Sequence, residues 1–168
     1  SFTSLDPEQS KVLGTVLKTG EKLGANRKTM LSAIETAIVE SGIRNLDYGD
    51  ADSQGWRQER TSLYPTGSKG PPNVKAAAKR YFAEASDPNE GNSGSGMTAG
   101  QRAQTVQGSA YPERYDEVKA QAKPLLKEFQ SSSTKAIHKP LKRQAKQTLG
   151  KPATRAIVAR TAYASRLR

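Results

Sequence analysis

Apolar residues recur at helical spacing along most of the first 126 positions, and each run opens with a residue suited to capping a helix. Asp6-Pro7-Glu8-Gln9 combines an N-cap, a proline at the first helical position and a glutamine placed for a capping box. It leads into Val12, Leu13, Val16, Leu17 and Leu23, which predict a helix to about Gly24. A second helix is predicted from Asn26 to Ser41, closed by Gly42. A third follows Asn73, with Val74, Ala77, Ala78, Tyr81 and Phe82 on one side. Thr98, three residues before Gln101, opens a short fourth helix through Val106, with Met97 available as a hydrophobic staple. Tyr111-Pro112 leads into a last helix carrying Tyr115, Val118, Ala122 and Leu125, bent near Pro124. Residues 43–72 are rich in Gly, Asp, Ser and Pro and read as irregular or as a short hairpin, and residues 87–96 read as a loop. The predicted class is mainly α.

The pattern changes after residue 130. Ser131-Ser132-Ser133-Thr134 reads as a boundary between a body, residues 1–130, and a basic tail or linker, residues 131–168. In the tail, Ile137, Leu141, Ala145 and Leu149 keep helical spacing, and Lys151-Pro152 separates them from a second basic piece. The tail is helical or extended on this reading. Charge sharpens the division: residues 131–168 hold 10 Lys+Arg and no acid, so +10 of the net +11 lies there. An apolar share of 34% and a mean hydropathy of -0.76 agree with a tail that buries little. Such a charge suits an anionic partner, namely a wall polymer, DNA or an anionic lipid surface, or a virion protein, or simply a solvated linker.

Composition then removes several chemistries. There is no cysteine, so thiolate catalysis and thiolate metal sites are excluded. His138, the single histidine, lies in the tail, far along the chain from any candidate nucleophile, which argues against a serine or cysteine triad and a histidine-based zinc site. Asp47, Asp50 and Asp52 alternate like calcium ligands, yet no carboxylate closes a twelve-residue loop. No metal or other cofactor is expected. No apolar run reaches membrane-span length and no signal-peptide pattern is present, although a chain starting at Ser1 and not Met gives missing targeting signals little weight. Any catalysis should rest on carboxylates.

The second helix carries two glutamates. On a helical wheel Glu40 lies roughly 20° from Ala33 and roughly 60° from Ala37, at the border of the apolar arc, while Glu35 falls roughly 220° away on the side expected to be solvated. Apolar surroundings and the negative end of the helix dipole would both favour the neutral acid at Glu40. That is the state required to protonate a glycosidic oxygen, as in the lysozyme case from which this rule is drawn.

Glu40-Ser41-Gly42, followed by Asn45-Leu46-Asp47-Tyr48-Gly49-Asp50, Asp52-Ser53, Gly55 and Gln58, resembles the catalytic segment of lysozyme-like and soluble lytic transglycosylase domains. It is most similar to the variety in actinobacterial cell-wall hydrolases and in tail proteins of phages that infect such hosts. Asn73-Val74 with Tyr81 resembles the family's Asn-apolar motif and the tyrosine after it, and Gln107-Gly108-Ser109-Ala110-Tyr111-Pro112 through Tyr115 resembles its Ala-Tyr element. The resemblance covers about Ala25 to Leu126. It implies a lysozyme-like helical domain that cuts peptidoglycan between MurNAc and GlcNAc, with Glu40 as general acid and then base. It further implies that Gln58 lines the glycan groove and that Tyr111 hydrogen-bonds near Glu40. Arg57 departs from the pattern, standing where the family places an apolar residue; it signals different packing or an acidic contact. Pro112 replaces an asparagine common in relatives.

Asp50 and Asp52 are candidates for a second catalytic carboxylate, or else they cap turns. With a second carboxylate the enzyme would be a muramidase that uses water; without one it would be a lytic transglycosylase, in which the muramic 6-hydroxyl attacks. Both readings stay open at this stage. Tyr48, Ser53, Trp56, Gln58, Asn73, Tyr111 and Tyr115 are the expected substrate-binding residues, with Trp56 and Tyr111 favoured for stacking on sugars. The expected setting is extracellular or virion-associated, on a phage tail. The alternative is a non-catalytic virion module of lysozyme fold, whose basic tail contacts DNA or another virion protein.

Overall fold

The computed structural model describes residues 2–64, 70–86 and 96–148, without side chains for residues 135–148. The chain divides into Ser1–Gln130 and Ser131–Arg168. The described residues are mainly helical: α1 (Pro7–Lys22), α2 (Arg27–Ser41), β1 (Ser53–Gln54), β2 (Glu59–Arg60), α3 (Val74–Ala85), α4 (Ala99–Gln107), α5 (Glu113–Glu117) and α6 (Lys119–Thr148). The two strands form one antiparallel ladder, pairing Ser53 with Arg60 and Gln54 with Glu59.

The helix starts follow from local chemistry. Asp6 accepts from the Gln9 amide at 2.9 Å while the Gln9 side chain accepts from the Asp6 amide at 3.1 Å, and Thr98 and Gln101 repeat this reciprocal box. Asn26 caps α2 through Thr29 and Asn73 caps α3 through Ala76. Gly42 ends α2 at φ 62°, a left-handed conformation that glycine adopts without a Cβ penalty.

α2 packs on α1, α3, α4 and α5 and forms the centre of the helical unit. Every residue from Thr29 to Ala37 is buried. Tyr81 of α3 meets two of the buried hydroxyls on this helix, donating to Ser32 Oγ at 2.9 Å and sharing a hydrogen bond with Thr36 Oγ1 at 3.2 Å. Leu13, Val16 and Leu17 of α1, Phe82 of α3 and Leu126 of α6 complete the apolar core.

Two expectations are corrected. Leu23 is not part of the buried stripe: it stands beyond the last turn of α1 and is 55% exposed. The last body helix is two helices, separated at Val118, whose ψ of 4° departs from helical geometry and whose amide turns back to the Asp116 carbonyl. The division between Gln130 and Ser131 falls at the expected boundary, although the serines and threonine at 131–134 lie within α6 and not in a loop. Such residues cost only about 0.5 kcal/mol each in a helix, too little to stop one without glycine or an unfavourable proline. The expected loop at 87–96, apart from Gly96, and the Lys151-Pro152 break lie outside the described residues, as does the side-chain pattern of Ile137, Leu141, Ala145 and Leu149. No helix among the described residues is long and apolar enough to cross a membrane.

Candidate active site

Glu40 lies half-buried in the last turn of α2, and the Tyr115 hydroxyl donates to its Oε1 at 2.5 Å. Tyr115 is fully buried, and burial together with the Glu40 contact pushes its phenol well above the ordinary range, so it remains a donor. The partner expected for Glu40 was Tyr111. That residue instead precedes α5, is 61% exposed, and takes its backbone contact from Ser109. A position inside α5 faces the core, whereas one before its first turn does not.

The residue after Glu40 fastens the helix to the hairpin. Ser41 Oγ donates to the Trp56 carbonyl at 2.8 Å and accepts from the Arg44 amide at 3.0 Å. Arg44 in turn binds Asp6 at 2.5 Å and Glu8 at 2.6 Å, which ties the loop to the start of α1. Beyond it, the Leu46 carbonyl accepts from Gly55 at 2.7 Å, and the Asn45 amide group donates to the Pro72 carbonyl at 3.1 Å.

Gln58 folds onto this loop. Its Nε2 donates to the Tyr48 and Gly55 carbonyls, each at 3.1 Å. Gly49 must lack a side chain here, because a Cβ would come within 2.7 Å of the Ser53 carbonyl oxygen and 1.7 Å of Gln58 Oε1. Gln58 also holds φ at 51°, a left-handed conformation uncommon for glutamine, and such strain persists only where surrounding contacts over-determine it. Tyr48 presents an exposed ring, at 67%, from the loop that Gln58 braces.

The two candidate aspartates differ. Asp52 receives the Ser62 hydroxyl and amide and is paired with Arg60; these contacts hold it well below the usual carboxylate range. Thr61 Oγ1 adds a bond at 3.2 Å. Asp52 thus fastens the far end of the hairpin, as its turn-capping alternative proposed. Asp50 is exposed, and its carbonyl accepts from the buried Ser53 at 2.9 Å.

Trp56 is corrected as a sugar-stacking residue. It is 0% exposed, with its ring 5.6 Å from that of Tyr81, so no face is open to a ligand. Glycine at 55, with φ 85°, turns the chain so that position 56 points inward. Asn73 serves as the α3 cap. Arg57 reaches acids: it binds Glu59 at 2.9 Å and Glu84 at 3.1 Å, and its guanidinium lies 5.4 Å from the Tyr64 ring centre and 5.8 Å from that of Tyr81. Arg80 shares Glu59, and the Gln107 side chain donates to the Arg57 carbonyl at 2.7 Å. Two charged groups at only 2% and 3% side-chain exposure therefore join the hairpin to α3, and the Arg57 carbonyl joins it to α4.

Glu35 is the largest departure. It was expected on the solvated side of α2; it is 0% exposed, and neither oxygen has a hydrogen-bond partner. Wheel geometry assumes one wet face, and the stretch of residues 29–37, packed among four other helices, has none. A signal was present in the sequence: from Thr29 to Val39, Glu35 is the only charged residue, as in a helix buried all round.

Among the described residues no group of three or more His, Cys, Asp or Glu side chains is placed to hold a metal ion. In comparisons with known proteins, no family model matches this chain and no curated protein matches it.

Proposed function

We propose that this chain cleaves bacterial peptidoglycan between MurNAc and GlcNAc, in a lysozyme-like domain with Glu40 as the reacting acid. The observation that carries this reading is the 2.5 Å hydrogen bond from buried Tyr115 to Glu40 Oε1, beside the hairpin that follows α2. Tyr115 orients the carboxyl group and leaves Oε2 to deliver a proton to the glycosidic oxygen. The same tyrosine then stabilises the carboxylate when the proton has left. Tyr48 and Tyr111, the exposed tyrosines of the two flanking loops, are the rings available for sugar.

The engagement of Asp52 by Arg60, Thr61 and Ser62 removes one of the two candidate second carboxylates and leaves exposed Asp50 as the other; we adopt the route that needs one carboxylate. In that route Glu40 first protonates the leaving oxygen and then takes the proton of the muramic 6-hydroxyl as it closes on the anomeric carbon, giving a 1,6-anhydro end. The corresponding setting is a phage virion or the outside of a cell, with the bacterial wall as target. The basic tail would meet an anionic partner there.

The test is digestion of purified cell walls followed by mass spectrometry of released muropeptides. Anhydro ends that disappear with Glu40→Gln are the expected result. Reducing ends would assign a muramidase, and intact walls would favour the non-catalytic module.

A further inference from the structure

Glu35 and Glu40 lie five residues apart on α2, and the helix that supplies Tyr115 to Glu40 also supplies a neighbour to Glu35. That neighbour is Asp116, next in sequence to Tyr115, whose charge opposes ionisation of Glu35. Asp116 accepts from Thr98 Oγ1 at 2.9 Å through Oδ2, while its buried Oδ1, like both oxygens of Glu35, has no partner. It cannot retreat toward α4 without disturbing close packing, since even a Cβ on Gly100 would fall 2.5 Å from Asp116 Cγ.

The other charged groups around Glu35 are few. Lys119 and Lys123, at the start of α6, favour its ionised form, and Tyr81 on α3 senses its charge. Arg102, the buried cation of α4, donates to the Ala85 carbonyl. The charged residues of α1 (Glu8, Lys11, Lys18, Glu21 and Lys22) are exposed. A charged Glu35 would therefore sit in a dry interior, without hydrogen bonds and opposite a second carboxylate. The element best able to yield is α5, five residues long and broken from α6 at Val118. Movement of α5 carries Tyr115 with it.

We propose that Glu35 is a positioning residue: in its uncharged form it lets α5 seat Tyr115 against Glu40, and its ionisation withdraws Tyr115. This rests on the reading of Glu40 as the reacting acid. Burial pushes Glu35 up to about 8, which places the transition on the alkaline side of neutrality.

The experiment follows wall clearing and the NMR resonances of the Tyr115 ring as pH is raised, in the native full chain and in Glu35→Gln. In the native protein the Tyr115 resonance should change with a midpoint near 8, and clearing that persists to that pH should fall with it. In Glu35→Gln the Tyr115 transition should vanish, and the loss of clearing that accompanies it in the native chain should vanish with it. Glu35→Met provides the same comparison if the glutamine variant does not fold. A Tyr115 resonance without a midpoint in the native protein, or identical profiles in native and variant, would overturn the proposal. If walls are never cleared, the reading of Glu40 fails, but the Tyr115 titration still decides whether Glu35 controls its position.

Discussion

Ser41 Oγ donates to the carbonyl of Trp56 at 2.8 Å, so the residue that follows Glu40 is bonded directly to the turn between the two strands. This contact holds the end of α2 and the hairpin in one register. Because Ser41 also accepts from the Arg44 amide, its hydroxyl serves both the loop and the turn. Ser41→Ala should lower stability by about 1–3 kcal/mol, the usual cost of leaving buried polar groups unpaired. Urea unfolding would measure this, and wall clearing should fall with it even under conditions where the variant is fully folded.

Tyr115→Phe keeps the ring and removes the hydroxyl that reaches Glu40. Loss of a hydrogen bond to a charged group costs about 1.5–3 kcal/mol, or about 10- to 150-fold in rate if it acts in the transition state. We expect the loss in kcat with KM little changed, read from initial rates on soluble glycan strands. A variant as fast as the native chain would remove Tyr115 from the chemistry.

The Arg57 network should behave as a buried ion pair. Removing the cation strands Glu59, which is 6% exposed, next to Arg80 alone. Arg57→Ala should therefore destabilise by about 3–5 kcal/mol, whereas a double replacement of Arg57 and Glu59 by apolar residues should recover much of that loss. Thermal melts of the single and double variants give the comparison.

The burial of Glu35 also makes stability depend on pH. Its folded value of about 8 exceeds its ordinary value of 4.5, so between these the folded chain keeps a proton that the unfolded chain releases. Its contribution is most favourable below about 4.5, is lost as pH rises toward 8, and stays lost above that. Asp6, held low by the Gln9 amide and Arg44, and Asp52, held low by Ser62 and Arg60, act with the opposite sign. Those two are present in both proteins and cancel in a comparison. Glu35→Gln should therefore gain stability on the native chain with rising pH, by about 1.4 kcal/mol per unit within that window. Melts at several pH values should show the two curves diverging; parallel curves would mean that Glu35 does not stay neutral.

Trp56 offers a direct optical check, as it is the single tryptophan of the chain. Fully buried against Tyr81, it should emit at short wavelength and keep its spectrum when muropeptides are added. A spectral shift on adding saccharide, with no change in fold, would return this ring to the sugar-binding surface.

The helix starts were legible at Asp6, Asn26, Asn73 and Thr98, as was the stop at Gly42, because each depends on atoms a few residues apart along the chain. The short hairpin after α2 was foreshadowed by its glycines and aspartates for the same reason. Burial is a different matter, since it depends on which elements arrive from elsewhere. The uncharged run around Glu35 hints at a buried helix, but nothing local distinguishes Trp56 as a core ring or Tyr115 over Tyr111 as the partner of Glu40. Those outcomes come from α1, α3, α4 and α5 closing around α2, which brings Tyr115 to a glutamate 75 positions earlier and leaves residues 29–37 of the central helix no face to water.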